Sequence, residues 1–375
     1  MIELKKRLFI VFALDHYNPL GAIRSLGEKC IRPVFIAVKH RADLGANSVY
    51  LSKLHKVNSV EEGYQVLLSE YGNEKEKPFL ITCDDRTTGY LDTRYDEIKN
   101  RFIFFNAGQP NRISQYMDKN NILEIAKKHG LGVLETKVLR NGEVPRDLNY
   151  PIITKSISPN VGGWKSDVHI CYNEKELESA YKIIKSPVVL AQKYIEKKNE
   201  LCLDGFCANQ GKDFFIGIAS TYKYLIPGYY SPYMDVFEFK NERVFNSLKS
   251  MMKEIGFEGV FSIEFIVDQE DNLWFLEVNF RNSTWSYAST VAGMPLPYLW
   301  ARAQHEGSVS DDMSVHFDDF EAMVEPIDYG KRVDTNKVTL AEWLADFKRA
   351  KCTYYFNNKD SGPNESIYKH WDSLK

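Results

Sequence analysis

The chain has 375 residues, 44% of them hydrophobic and 26% charged, enough for two or three folded units with buried cores and too apolar for a disordered tail. Lysine and arginine number 48 against 51 acidic residues, a balance that offers no basic face to nucleic acid or to an anionic membrane, so an anionic ligand must meet locally arranged charge. No apolar run approaches the roughly 20 residues of a membrane helix, the charged amino terminus lacks a secretory pattern, and six scattered cysteines without a CxxC pair (Cys30, Cys83, Cys171, Cys202, Cys207, Cys352) read as buried thiols of a reducing, cytoplasmic compartment.

Residues 8–14, Leu-Phe-Ile-Val-Phe-Ala-Leu, form the continuous apolar run of a central parallel strand. A turn, a helix through Ile23 and Leu26 and a strand at 33–38 follow, which makes a βαβ unit; in an open parallel sheet the turn after the first strand faces ligand. Another strand at 78–83 completes a small α/β domain over residues 1–110, bounded by the Gly-Gln-Pro-Asn cluster at 108–111. Beyond it Ile122, Leu123, Ile125 and Ala126 recur at helical spacing and stop at Gly130. Short strands dominate from Pro151. A last helix spans 339–350, with Thr339 and Glu342 spaced as a capping box, and residues 311–375 carry no recognisable chemistry.

The most informative segment is 260–267, Val-Phe-Ser-Ile-Glu-Phe-Ile-Val, a polar turn, and 273–280, Leu-Trp-Phe-Leu-Glu-Val-Asn-Phe, a predicted hairpin. Phe261, Ile263, Phe265 and Val267 make one apolar stripe and Trp274, Leu276, Val278 and Phe280 the other; they share a face only if Glu264 lies opposite Glu277, through a four-residue loop at 269–272. The same register sets Ser262 opposite Asn279, with Arg281 ending that row. Opposed Cβ atoms lie about 5 Å apart, so the two carboxylates repel unless a cation joins them, and two carboxylates with an amide suit a hard ion such as Mg2+. A solvated acidic face without metal is the alternative.

Two further segments belong with it. A strand at 151–155 ends in Lys155, and the loop to Lys165 carries Gly162 and Gly163, a plausible cover for phosphates but not a Walker A loop, since Trp164 follows the glycines. An ordinary hairpin loop with a surface lysine is equally compatible with it. A strand at 188–195, ending Gln192-Lys193-Tyr194-Ile195, runs through Glu196 to Glu200 at the entry of the next strand.

In this order, with Asp118-Lys119 opening a helix, the segments resemble the ATP-grasp superfamily over residues 112–305. The resemblance implies an ATP-grasp fold of mixed α/β and α+β class: an N-terminal open parallel domain (1–110), an ATP-grasp domain (111–310, its lid about 120–190 and metal-binding core about 190–310), and a small C-terminal accessory segment (311–375). It implies that Lys119 and Lys155 contact ATP phosphates under a lid that includes Gly162, Gly163 and Lys165. Gln192, Lys193, Tyr194 and Ile195 would hold adenine and Glu200 the ribose. Glu264, Glu277 and Asn279 would hold two Mg2+ ions, with Mn2+ as an alternative, and Arg281 would steady the reacting carboxylate, so that Arg281 and Lys155 are the catalytic pair. The implied activity is a carboxylate-amine ligase that forms an amide through an acyl phosphate. A non-catalytic ATP-binding module, or a phosphotransferase stopping at the acyl phosphate, is the alternative. The first domain is similar to that of D-aspartate ligase and carbamoyl-phosphate-synthase-like ligases, which implies small carboxylate and amine substrates of the amino-acid kind; ligases of this kind often form homodimers. Asp84 and Asp85 could then hold an ammonium group and His16 or Arg24 a carboxylate, each being equally readable as a cap or surface charge. The tyrosine-rich stretch 221–233 reads as packing at a domain interface, with an acceptor pocket as the other reading.

Overall fold

The computed structural model describes residues 4–39, 42–157, 164–228 and 230–375. The apolar run at the amino end becomes β1 (Phe9–Leu14), and with β2 (Val34–Val38), β3 (Lys53–Val57), β4 (Phe79–Thr82) and β5 (Ile103–Phe104) it forms a parallel sheet in the order β3-β2-β1-β4-β5. Phe9 to Ala13 are at most 1% exposed, as expected of a central strand covered on both faces. The strand order reverses between β1 and β4, so the loops after these two strands part and leave a crevice. Two helices begin there, Tyr17–Gly27 and Asp85–Asp92, and Asp84 caps the second by accepting from Thr87 N at 2.7 Å.

The second sheet joins β6 (Thr136–Arg140), β7 (Ile152–Ser156), β8 (His169–Cys171) and β9 (Val188–Lys193) in the order β6-β9-β7-β8. The third comprises β10 (Asn199–Ala208), β11 (Asp213–Tyr222), β12 (Tyr233–Phe237), β13 (Gly259–Val267), β14 (Leu273–Asn279), β15 (Phe320–Met323) and β16 (Cys352–Thr353), ordered β14-β13-β10-β11-β12-β15-β16. Leu203, Phe261, Ile263 and Phe265 bury one of its faces, while Glu200, Glu264 and Glu277 lie on the other. The helix Lys119–Lys128 packs beside β14, its apolar residues Ile122, Leu123, Ile125 and Ala126 buried; the chain turns away at Gly130, whose φ of +80° suits glycine.

Residues 311–375 are part of this framework: β15 and β16 extend the third sheet, and the segment after β16 closes on the first helix. Arg24 is completely buried there. Its Nε donates to Asp360 Oδ2 at 2.9 Å, and its other nitrogens donate to the carbonyls of Tyr354 and Tyr355. Arg24, in the last turn of the first helix, is therefore neither the substrate-carboxylate residue nor the surface charge that the sequence suggests, because the C-terminal segment uses its fork. Asp360 also accepts from Ser48 Oγ and Val49 N. Glu325 receives the backbone N–H groups of Tyr354, Tyr355 and Phe356, and burial pushes its carboxyl up to about 7.

The Thr339–Glu342 capping box forms as expected at the helix Leu340–Arg349. All six cysteines are free thiols. Cys30 is exposed rather than buried, because it sits in the turn that ends the first helix and not in a strand. Among the described residues no helix is long and apolar enough to cross a membrane.

Removing one member of a completely buried ion pair leaves the other charge stranded, at a cost of about 3–5 kcal/mol. Asp360→Ala is therefore expected to shift the urea midpoint strongly downward, and a double Arg24→Leu/Asp360→Leu variant to lose much less than the single change; equal losses would show that the pair is not coupled.

Candidate functional site

The hairpin of β13 and β14 sets the site. Glu264 lies opposite Glu277 and Ser262 opposite Asn279, in the register that the apolar stripes require. The turn differs from expectation. It spans five residues, 268–272, not four, and a bulge between Glu264 and Phe265 absorbs the extra residue, so that Phe265 pairs with Phe275 and Leu276 has no partner. The core stripe on this strand is Phe275, Val278 and Phe280, whereas Trp274 and Leu276 leave the core. Asp268 fixes the longer turn: it accepts from Trp274 Nε1 at 2.8 Å and from the backbone of Glu270 and Asn272, bonds that hold its carboxyl below the usual range.

Lys119 opens its helix because Asp118 caps it, accepting from Asn120 N and Asn121 N. From there its Nζ reaches Glu277 Oε2 at 3.0 Å. Lys155 rises from β7, and its Nζ donates to Gln192 Oε1 on the neighbouring β9 at 2.9 Å. Asn279 Nδ2 donates to Glu264 Oε1 at 3.0 Å, and Arg281 donates to Asn279 Oδ1 at 3.0 Å and, through Nε, to Asp85 Oδ1 at 2.8 Å. One polar chain thus runs from Glu264 to the first turn of a helix of the parallel sheet.

Two clefts meet on this chain. The first, about 370 Å3, is lined by Lys119, Lys155, Leu276, Glu277, Asn279 and Arg281, among others. The second, about 480 Å3, shares Glu277, Asn279 and Arg281 with it and adds Glu200, Glu264 and Trp285, among others. Glu200 stands on the sheet face of Glu264, paired with Lys197, in the second cleft rather than the first. Of the adenine candidates, Gln192 is buried and reaches the first cleft only through Lys155; Lys193, Tyr194 and Ile195 line neither cleft. The backbone N–H groups of Lys193 and Tyr194 are used by Glu135 and Pro151. Gly162 and Gly163 lie outside the described residues, as does the Lys165 side chain. Asp84 is a cap that also accepts from Leu14 N, and His16 borders a small crevice with Asp85 and Arg281.

Charge divides unevenly here. Lys119 holds Glu277 below the usual carboxylate range, and Glu277 in turn raises Lys119, although 30% and 26% of these side chains face solvent. Burial, and then Glu277, push Glu264 up to about 8. Burial and the nearby Lys119 push Lys155 down to about 8. A cation beside the carboxylates would lower Glu264 again, and an anion beside the lysines would raise Lys155. Among the described residues no three or more Asp, Glu, His or Cys side chains gather for a metal. Two carboxylates and an amide fit a hard ion that completes its shell with water or phosphate oxygens.

Sequence reasoning gives neither the Asp85 partner of Arg281 nor the place of Trp285 in the second cleft's aromatic wall, whereas Tyr222 and Tyr230 of that wall come from the tyrosine-rich stretch 221–233, whose favoured reading is packing and whose other reading is a pocket. The Ser-Thr-Trp string directly after Arg281 and Asn282 was the available signal.

No protein-family model matches the chain. Among curated proteins, it is 26% identical over 183 residues to the 2-oxoglutarate carboxylase small subunit of Hydrogenobacter thermophilus, which covers 44% of this chain and 38% of that protein. It is 24% identical over 139 residues to N5-carboxyaminoimidazole ribonucleotide synthase of Staphylococcus aureus, 35% of this chain and 34% of the relative. It is 20% identical over 152 residues to the propionyl-CoA carboxylase alpha chain of Ruegeria pomeroyi, 37% of this chain and 22% of the relative. The matches therefore span well under half of those relatives. Solved structures align over more of the chain: N5-carboxyaminoimidazole synthetase of S. aureus with ADP (TM-score 0.66, 15% identity, 88% of this chain and 86% of that one) and the L-amino acid ligase of Bacillus licheniformis (0.64, 13%, 85% and 80%). The biotin carboxylase domain of the H. thermophilus 2-oxoglutarate carboxylase, a complex with MgADP, ADP and bicarbonate, aligns at 0.63 with 18% identity, over 85% of this chain and 74% of that one. This chain shares the fold of these neighbours, the ATP-grasp fold.

Proposed function

We propose that this protein is an ATP-dependent carboxylate-amine ligase. The observation that carries the reading is the convergence of Lys119, Lys155, Glu277, Asn279 and Arg281, from three separate stretches of chain, on one cleft of nucleotide-compatible size. The two lysines offer charge to phosphates, and Glu277 and Asn279 offer oxygen ligands to a divalent ion.

In this reading Lys119 and Lys155 bind the phosphates of ATP beneath the loop carrying Gly162, Gly163 and Lys165. Adenine lies along Gln192, Lys193, Tyr194 and Ile195, and Glu200 holds the ribose. Because two N–H groups of that strand are taken, recognition of the base falls to its remaining backbone groups. Glu264, Glu277 and Asn279 would hold Mg2+, two ions or Mn2+ in its place, which when bound neutralises phosphate charge. Arg281 orients the substrate carboxylate. A carboxylate oxygen attacks the γ-phosphorus, the bond to the β–γ bridging oxygen breaks and ADP leaves; the amine then attacks the acyl carbon, loses a proton and expels phosphate. The acid and the amine are small molecules of the amino-acid kind, and the enzyme works as a homodimer. Catalysis asks for positioning and electrostatics and for no covalent nucleophile.

Hydroxylamine replaces the amine in the decisive experiment: with ATP, Mg2+ and a panel of carboxylic acids, hydroxamate and ADP should form together. ADP without hydroxamate would instead identify an ATP hydrolase, and a phosphotransferase would release ADP and a free acyl phosphate with no amine present, which hydroxylamine added afterwards would trap. Glu277→Ala should lower turnover on the order of 100-fold or more with an unchanged circular dichroism spectrum, and near-normal ADP release by this variant would refute the reading. Lys155 supplies a pH test. Its charged form dominates below about 8, and bound phosphate favours that form, so ADP affinity measured calorimetrically without metal should fall as pH rises past 8. Lys155→Arg keeps its charge and should lose less affinity over the same range.

A further inference from the structure

The second cleft differs in character from the first. Its floor is polar, with Ser262, Glu264, Glu277 and Asn279, but its wall is aromatic, formed by Tyr222, Tyr230 and Trp285. Gly228 stands at its edge, with open space where a side chain would project.

That wall is fixed before any ligand arrives. Tyr230 and Trp285 meet edge to face at 6.1 Å and 77°, and Trp285 meets Tyr354 at 5.3 Å and 83°. The Tyr230 hydroxyl shares a 2.7 Å hydrogen bond with that of Tyr17, from the helix after β1. Tyr354 donates from its hydroxyl to the Trp285 carbonyl at 3.1 Å, and the Trp285 N–H donates to Ser283 Oγ at 3.0 Å. Ser283 in turn donates to the buried Asp204, which also accepts from Ser286 at 2.9 Å. Three distant parts of the chain therefore hold the two rings, and a surface already ordered binds a flat apolar group without a further ordering cost.

Charge narrows the occupant further. The cations lining this cleft are Lys197, paired with Glu200, and Arg281, paired with Asp85, beside the carboxyls of Glu264 and Glu277, so the lining holds no excess of positive charge. A doubly charged phosphoryl group finds no pair of free cations there. A single carboxylate fits, since Arg281 and the proposed metal ligands stand at the boundary of the two clefts, and a ring extending from it reaches the aromatic wall.

We infer that the second cleft takes a carboxylic acid bearing an aryl side chain, of the size of an aromatic amino acid, packed against Tyr230 and Trp285. The inference rests on the ligase reading, which puts the phosphates in the first cleft and the ribose on Glu200, so the acid takes the part of the second cleft bounded by Arg281, Tyr230 and Trp285. Aromatic contacts contribute on the order of 1 kcal/mol beyond buried area. Together with that area they should separate aryl from small acids by about tenfold or more in kcat/KM.

The test uses the full chain with ATP, Mg2+ and hydroxylamine, and compares L-phenylalanine and 3-phenylpropionate with L-alanine, acetate and 3-phosphoglycerate. Hydroxamate formation favouring the two aryl acids supports the inference; a preference for the small or the phosphorylated acids overturns it while leaving the ligase reading intact. Binding to the protein loaded with MgADP, measured by calorimetry, is a readout that needs no turnover. Saturable binding of L-phenylalanine that Trp285→Ala weakens about tenfold and Trp285→Phe largely restores supports the aryl cleft even if no acid turns over, a result that would count against the ligase reading alone. Absence of saturable aryl-acid binding, or binding that Trp285→Ala and Tyr230→Leu both leave unchanged, overturns the inference.

Discussion

Two carboxylates forced face to face across a hairpin are the constraint around which the rest of the site is arranged. At about 4 Å and an effective dielectric near 20, two unit charges interact with about 4 kcal/mol, too much to leave uncompensated beside a buried core. The protein divides the burden unequally. Glu277 receives Lys119, while Glu264 receives only the amide of Asn279 and retains its proton near neutrality. The pair is thus half neutralised from within, which lowers the cost of holding two carboxylates together beside a buried core.

The same constraint explains why three sheets converge at this point. Lys119 arrives on a helix packed beside β14, Lys155 on the second sheet, and Arg281 couples the end of β14 to Asp85 at the crevice of the parallel sheet. Glu277, Asn279 and Arg281 border both clefts, so chemistry that passes a group from one to the other has a boundary made of charge and not of apolar wall. Behind the second cleft the C-terminal segment buttresses the aromatic surface through Tyr354.

Much of this was legible in the residues. Parity alone set Glu264 against Glu277, because a slip of one residue would have exposed Ile263 and Phe265. Parity is blind to a bulge, however. It assigned Trp274 and Leu276 to the core, whereas the Asp268 turn, built from backbone donors and one indole N–H, inserts a residue and sends Phe275 inward instead. The role of Arg24 was equally hidden. Nothing local in the first helix announces that Asp360 will return to meet it, since a contact spanning 336 residues leaves no periodic trace. The strand expected over 188–195 was legible but ends at Lys193, and which N–H groups of Lys193 and Tyr194 neighbouring loops would use was not.

The Arg24 pairing also bears on biosynthesis. A nascent chain emerges from its amino end at roughly 5–20 residues per second, so the helix Tyr17–Gly27 exists for many seconds before Asp360 is made. Throughout that interval a guanidinium destined for complete burial has no carboxylate to enter with. The parallel sheet can assemble early, but Arg24 can enter its buried pair only once residue 360 has emerged. Vectorial synthesis therefore delays sealing of the first helix until the segment after β16 has been made.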